Sequence, residues 1–195
     1  MEGNSIARKE LRIAGFGGQG VVLSGQIVGK AAAIYDSGFA TMTQSYGPEA
    51  RGGSCTTEVV ISSEPIDYPY VACPQTLIIL AQEAYANYGH NLSAGTMVII
   101  DPDLVITDPS QNHPPLSIPA TRMAREMGRV VVANIIMLGF LAAVSDFISP
   151  EALRKSVLAS VPEGTGEFNL EAFDRGYAYG LDHGGTEDKY SNTAC

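Results

Sequence analysis

A chain of 195 residues falls within the roughly 100–200 residues of a single domain, and 45% apolar against 17% charged residues excludes a disordered polymer. With 21 acidic and 12 basic residues the formal charge is −9, the wrong sign for a nucleic-acid footprint or an anionic membrane surface. Cys55, Cys73 and Cys195 have neither disulfide-framework nor CxxC iron–sulfur spacing, no run of about 18 apolar residues offers a membrane span, and the opening Met-Glu-Gly-Asn-Ser lacks the apolar stretch of a signal peptide, so a soluble cytoplasmic domain is expected.

The elements follow from apolar runs and their punctuation. Leu11 to Ala14 reads as a strand buried on both faces. It ends in the turn Gly15-Phe16-Gly17-Gly18-Gln19-Gly20, after which Val21 to about Tyr35 is apolar or small nearly all round, the pattern of a buried helix. Asp36-Ser37-Gly38 stops it. Strands are predicted over Phe39–Ser45 and Cys55–Ile61, separated by a glycine-rich loop, with an irregular segment from Ser62 to Pro74. Thr76–Leu80 is an apolar strand, Gln82–Leu92 a helix, and Met97–Ile100 a strand closed by Asp101-Pro102. Asp101 to Pro119 reads as a surface loop with room for a short strand, and Ala120–Met127 as a helix; Val130–Val132 is either a strand or the lead into a helix over Asn134–Val144. Ser149-Pro150-Glu151 is a helix start, with Ser as N-cap, Pro at N1 and an acid at N2. A last helix is expected over about Leu170–Tyr179.

Strands separated by helical segments predict an α/β fold, a Rossmann-like open sheet with helices on both faces in three αβα layers. One domain over residues 9–182 is expected, with flexible ends at 1–8 and 183–195.

Gly15, Gly17 and Gly20 satisfy G-x-G-x-x-G between a strand and a helix, a turn whose bare backbone and helix N-terminus can receive a diphosphate. The dinucleotide version needs an acid about 20 positions on, after the second strand. Here that strand ends Thr41-Met42-Thr43-Gln44-Ser45, and Asp36 comes too early, at the helix end. Close strand–helix packing, or docking of another anion or a neighbouring chain, are the remaining uses of the turn.

Other chemistry is sparse. His90, His113 and His183 are dispersed, Ser24 and Ser54 lack a nucleophile elbow, and Cys55 reads as a small buried hydrophobe. Asp101 and Asp103 are expected as solvated turn residues.

The stretch Ser45-Tyr46-Gly47-Pro48-Glu49-Ala50-Arg51-Gly52-Gly53 packs an aromatic, a rigid proline, a candidate Glu49–Arg51 ion pair and adjacent glycines into one loop. Together with Gly15-Phe16-Gly17-Gly18-Gln19-Gly20 and the later Asn134-Ile135-Ile136-Met137-Leu138-Gly139, it resembles the gamma subunit of 2-oxoacid:ferredoxin oxidoreductases over about residues 9–182. The resemblance implies a complex that decarboxylates a 2-oxoacid on thiamine diphosphate with Mg2+, passes electrons through [4Fe-4S] clusters to ferredoxin, and transfers the acyl group to coenzyme A. It also implies alpha and beta partners, with delta where the complex carries one, and no cofactor held by this chain alone.

In keeping with that division of labour, the chain has no thiamine diphosphate motif, cysteine cluster or Gly-Lys-Ser/Thr loop. The expected contacting residues are Gly15, Gly17, Gly18, Gln19, Gly20, Tyr46, Gly47, Pro48, Glu49, Arg51, Gly52 and Gly53, gathered at strand C-termini as a docking face. Asn134 marks the family helix, and Arg51 is expected to meet a coenzyme A phosphate or a partner carboxylate. Of the 2-oxoacids, 2-oxoglutarate is favoured. The competing reading is a free-standing, Rossmann-like dinucleotide oxidoreductase.

Overall fold

Among the described residues five of six strands run in one direction and one runs against them, an arrangement that brings the two glycine loops to the same sheet edge. The computed structural model describes residues 8–49, 52–90, 92–93, 95–108 and 114–184. Its elements in chain order are β1 (Lys9–Phe16), α1 (Val21–Lys30), β2 (Phe39–Tyr46), β3 (Ser54–Ser62), β4 (Thr76–Ile79), α2 (Gln82–Tyr88), β5 (Met97–Ile100), β6 (Leu116–Ser117), α3 (Ala120–Glu126), α4 (Ala133–Val144), α5 (Pro150–Leu158) and α6 (Gly166–His183). The sheet order is β2-β3-β1-β4-β5-β6. β3 pairs antiparallel with both β1 and β2, whereas β1, β4, β5 and β6 pair in parallel. Apolar periodicity reports burial and not strand direction, so the reversed β3 is not readable from the run Cys55–Ile61.

Alternation along the strands divides the core in two. Leu11, Ile13, Val59, Ile61, Ile78 and Ile99 join residues of α1, α3, α4, α5 and α6 in the larger cluster. Ala14, Leu77, Ile79, Val98 and Ile100 face the other way, where Ala84 and Tyr85 of α2 cover them. This thinner layer is completed by the irregular segment after β3. The buried Glu10 carboxylate accepts from the Ala72 and Cys73 amides, both at 2.7 Å, while Arg8 donates to Glu10 and to the Tyr68 and Tyr70 carbonyls. The three-layer α/β expectation therefore holds, with unequal layers.

The thick layer rests on α4 against α6. A Cβ at Gly139 would strike the Phe173 carbonyl, and one at Gly176 the Ile136 carbonyl, so the two helices touch backbone to backbone. α6 begins at Gly166 and reaches His183, longer at both ends than the predicted Leu170–Tyr179. Val130–Val132 is a 3-10 turn that runs straight into α4, the second of its two expected readings, and not a strand. α1 continues into a π-helical turn over Ala31–Tyr35, which delivers Asp36 to the start of α5. There Asp36 accepts from the Ser149 amide and hydroxyl, both at 2.7 Å, while Ser149 caps the Ala152 amide. Asp101 is not a solvated turn residue: it is fully buried and accepts from the Asp103 amide and, across 20 residues, from the Thr121 amide at the start of α3. Among the described residues no helix is long and apolar enough to cross a membrane.

Candidate functional site

The turn after β1 is held by its own side chain. Gln19 Oε1 accepts from the Phe16 amide at 2.6 Å and Gln19 Nε2 donates to the Leu80 carbonyl at 2.7 Å, so the turn is bolted to the end of β4. The Gly17 amide donates to the Gly53 carbonyl at 2.9 Å. Gly20 caps α1 in the left-handed region, φ 75°, a conformation open to glycine. Ser24 Oγ donates to the Gly20 carbonyl at 2.9 Å, and the buried Asn134 amide donates to the same carbonyl and to Ser24 Oγ, both at 3.4 Å. The structure thus brings together the two glycine loops and Asn134, which sequence spacing alone leaves apart.

Not every named residue plays the same part. Gly15 is buried behind Gln19, whereas Gly17, Gly18 and Gly52 are exposed. Gly18 and Gly52 have φ of 96° and 70°, and a Cβ on either would meet nothing within 4 Å. They form a ridge of bare backbone beside the exposed ring of Tyr46. Gly47 closes the loop after β2 by donating its amide to the Ser54 carbonyl at 2.7 Å. Pro48 is exposed, and the Glu49 carboxylate folds back against Gly47 and Gly53. Among the described residues Glu49 has no hydrogen-bond or ion-pair partner; Ala50 and Arg51 lie outside the described residues. Below the loop, Cys55 is buried, which pushes its thiol pKa up.

On the α2 side of these loops lies a partly enclosed cavity of about 90 Å³. Gly15, Tyr46 and Gly47 of the expected set line it, joined by Ser45, Ser54, Thr56, Glu83, Asn87 and Tyr88. The α2 residues escaped the sequence reading. The available signal was the polar alternation Thr41, Thr43, Ser45 opposite Thr56 and Glu58, which marks a hydroxyl-rich sheet face. Deeper on that face Arg12 pairs with Glu58 at 2.6 Å and stacks over the Tyr88 ring, 4.9 Å from its centre.

This donor set does not fit a resident diphosphate cofactor. Cofactor pockets run to about 300–1,000 Å³, and among the described residues this cavity is lined by a carboxylate and by no lysine or arginine. The glycine turn has also spent its Phe16 and Gly17 amides internally. The dinucleotide reading accordingly finds no support: Asp36 is a helix cap, and the turn is occupied by Gln19. Among the described residues no group of three or more His, Cys, Asp or Glu converges as a metal site.

Residues 10–179 match the family model of pyruvate ferredoxin/flavodoxin oxidoreductase. The chain is 51% identical over 173 residues to the 2-oxoglutarate synthase subunit KorC of Methanocaldococcus jannaschii, which covers 87% of this chain and 92% of that one. Its fold superimposes with a TM-score of 0.82 and 39% identity on the gamma subunit of a keto/oxoacid ferredoxin oxidoreductase from Geobacter sulfurreducens PCA, covering 91% of this chain and 98% of the other. A 2-oxoglutarate:ferredoxin oxidoreductase from Magnetococcus marinus, solved with 2-oxoglutarate, coenzyme A and succinyl-CoA bound, matches at TM-score 0.77 and 26% identity; 90% of this chain corresponds to 31% of that longer one. The chain belongs to the pyruvate ferredoxin/flavodoxin oxidoreductase family, as a gamma subunit of a multi-subunit 2-oxoacid:ferredoxin oxidoreductase.

Proposed function

We propose that this chain is the gamma subunit of a cytoplasmic 2-oxoglutarate:ferredoxin oxidoreductase, in which it completes the complex without holding its redox cofactors. The reaction converts a 2-oxoacid and coenzyme A into acyl-CoA and CO2 while reducing ferredoxin. Identity of 51% to a 2-oxoglutarate synthase subunit, along nearly all of both chains, carries the choice of substrate. Thiamine diphosphate, Mg2+ and the [4Fe-4S] clusters belong to the alpha and beta subunits, with delta where present, and ferredoxin docks on those chains.

Residues 9–182 act as one domain in this reading. The bare ridge Gly17, Gly18 and Gly52, with Tyr46, Pro48 and Glu49 beside it, is the face turned toward the alpha subunit and the coenzyme A side of the site. Exposed backbone lets another chain approach more closely than side chains allow, and Val131, 74% exposed just before α4, whose Asn134 bonds to Gly20, adds an apolar side chain. The correspondence of this domain to part of a longer chain in the Magnetococcus marinus enzyme is consistent with a tight seat beside its neighbours.

Co-purification from native extract tests the subunit reading: larger chains should travel with this one, and the assembly should reduce viologen with 2-oxoglutarate and coenzyme A in preference to pyruvate. An Arg51→Ala variant should weaken assembly or raise the KM for coenzyme A while the isolated fold is kept. A chain that purifies alone and binds NADH saturably at micromolar concentration would instead restore the dinucleotide alternative.

A further inference from the structure

The cavity beside α2 has chemistry opposite to that of a phosphate site. Among the described residues it is lined by Ser45, Ser54, Thr56, Tyr88, Asn87 and Glu83, with no lysine or arginine. Glu83 has no ion-pair or hydrogen-bond partner among the described residues. Thr56 is 8% exposed, yet its hydroxyl reaches only the Tyr88 hydroxyl at 3.5 Å, beyond the ~2.7–2.8 Å of a well-made O–H···O bond. A nearly buried hydroxyl whose one bond is long and an exposed, unpaired carboxylate therefore border one space. The nearest described cation on that sheet face, Arg12, is already taken by Glu58.

We propose that this cavity receives the ammonium group of a lysine from a neighbouring subunit of the complex. The inference rests on the docking face described above, with which the cavity is continuous through Tyr46 and Gly47. A volume of about 90 Å³ equals about three waters at ~30 Å³ each, enough for an ammonium and about two of the methylenes behind it. An ammonium presents three donors in divergent directions, and here hydroxyl oxygens and a carboxylate approach from both the sheet and α2. A planar guanidinium would need its acceptors in one plane.

The test uses the complex reconstituted from the full chain and the remaining subunits of its oxidoreductase. Glu83→Gln keeps the shape of an exposed side chain with no partner to lose, so the fold should be retained, as circular dichroism will verify. This variant should bind the other subunits about tenfold more weakly at low salt, a deficit that narrows as salt screens the pair, and Thr56→Val should show a smaller loss. A water-soluble carbodiimide, which joins a carboxylate to an amine as an amide, should yield a cross-linked peptide containing Glu83 and a partner lysine, absent from Glu83→Gln. Binding within twofold of wild type overturns the inference. So does a Glu83 cross-link to this chain's own lysine, or no link at Glu83 while its other carboxylates join the partner. Failure of the unsubstituted chain to associate at all would refute the docking face itself, a result distinct from the other three.

Discussion

The Gly17 amide donates to the Gly53 carbonyl at 2.9 Å, and that bond makes one surface of two loops that are 36 residues apart by number. It exists because β3 runs antiparallel to both β1 and β2, so that Phe16 lies opposite Ser54 and Tyr46 opposite Cys55. The end of β1 and the β2–β3 connection are then forced to the same edge. The consequence is a face built largely from backbone, supported from behind by Gln19 and Asn134.

Glycines on this face separate structural from docking demands. Gly20 is left-handed, and a Cβ there would collide with the Asn134 side chain; left-handed backbone alone costs a non-glycine residue roughly 1–2 kcal/mol. Gly20→Ala should therefore destabilise the isolated chain by about 2 kcal/mol or more in urea melts. Gly17 has no positive φ, and its added Cβ would stay 3.5 Å or more from Gly52 and Gly53. Gly17→Ala should leave the melt unchanged yet weaken subunit association. Equal association of both variants with the partner chains would remove the case for a docking role.

The α4–α6 contact predicts a contrast between two glycines that look alike in sequence. An alanine normally gains up to about 1 kcal/mol over glycine inside a helix. Gly29 in α1 has only ordinary contacts near its added Cβ, at 3.9 Å to Val59 and 4.0 Å to Ala40, so Gly29→Ala should be neutral or stabilising. At Gly176 the Cβ meets the Ile136 carbonyl, and the helices must separate, at the ~1–3 kcal/mol typical of overpacking. Gly176→Ala should lower Tm by several degrees, and scanning calorimetry on the pair decides it.

What the sequence made legible was local. Continuous apolar runs located β1, β4 and β5, the Gly and Pro clusters located both loops, and Ser149-Pro150-Glu151 marked the start of α5. What stayed hidden depends on partners distant in the chain. Asp101 looks like a turn acid until the Thr121 amide, 20 residues on, is seen to need it. Glu83 and Asn87 look like ordinary helix-surface residues until the folded-back β2–β3 connection makes them a cavity wall. Strand direction carries no periodic signal; the pointer to the reversed β3, which places the whole site, was the short connection from Tyr46 to Ser54, too short for a parallel crossover.

Asp36 comes too early in the chain for a ribose-binding acid, and its actual bonds give a test. It holds the Ser149 amide and hydroxyl at the N-terminus of α5, where a carboxylate also meets the positive end of the helix dipole. Asp36→Ala should cost about 1 kcal/mol in stability, in line with the loss of a helix cap, with Asp36→Asn intermediate. An acid serving a ribose would behave otherwise, changing NADH binding and leaving the urea midpoint in place.

Cys55 sits opposite Tyr46 under the β2–β3 loop and is therefore a reporter of that loop. Burial raises its pKa, so the folded chain keeps the neutral thiol while the unfolded chain ionises at roughly pH 8.5. The sign follows: the preference for the folded state is intact below that pH and shrinks as pH rises toward the folded-state value. Only the thiolate alkylates at a useful rate, so at pH 8 iodoacetamide should leave Cys55 of the native chain unmodified and label it fully in urea, read by mass spectrometry of its peptide. Gly20→Ala, which loosens the neighbouring turn, should raise the native labelling rate, whereas Gly17→Ala should not. Rapid labelling of Cys55 in the unsubstituted native chain would contradict the closed packing of Gly15, Cys55 and Tyr46 on which the docking face is built.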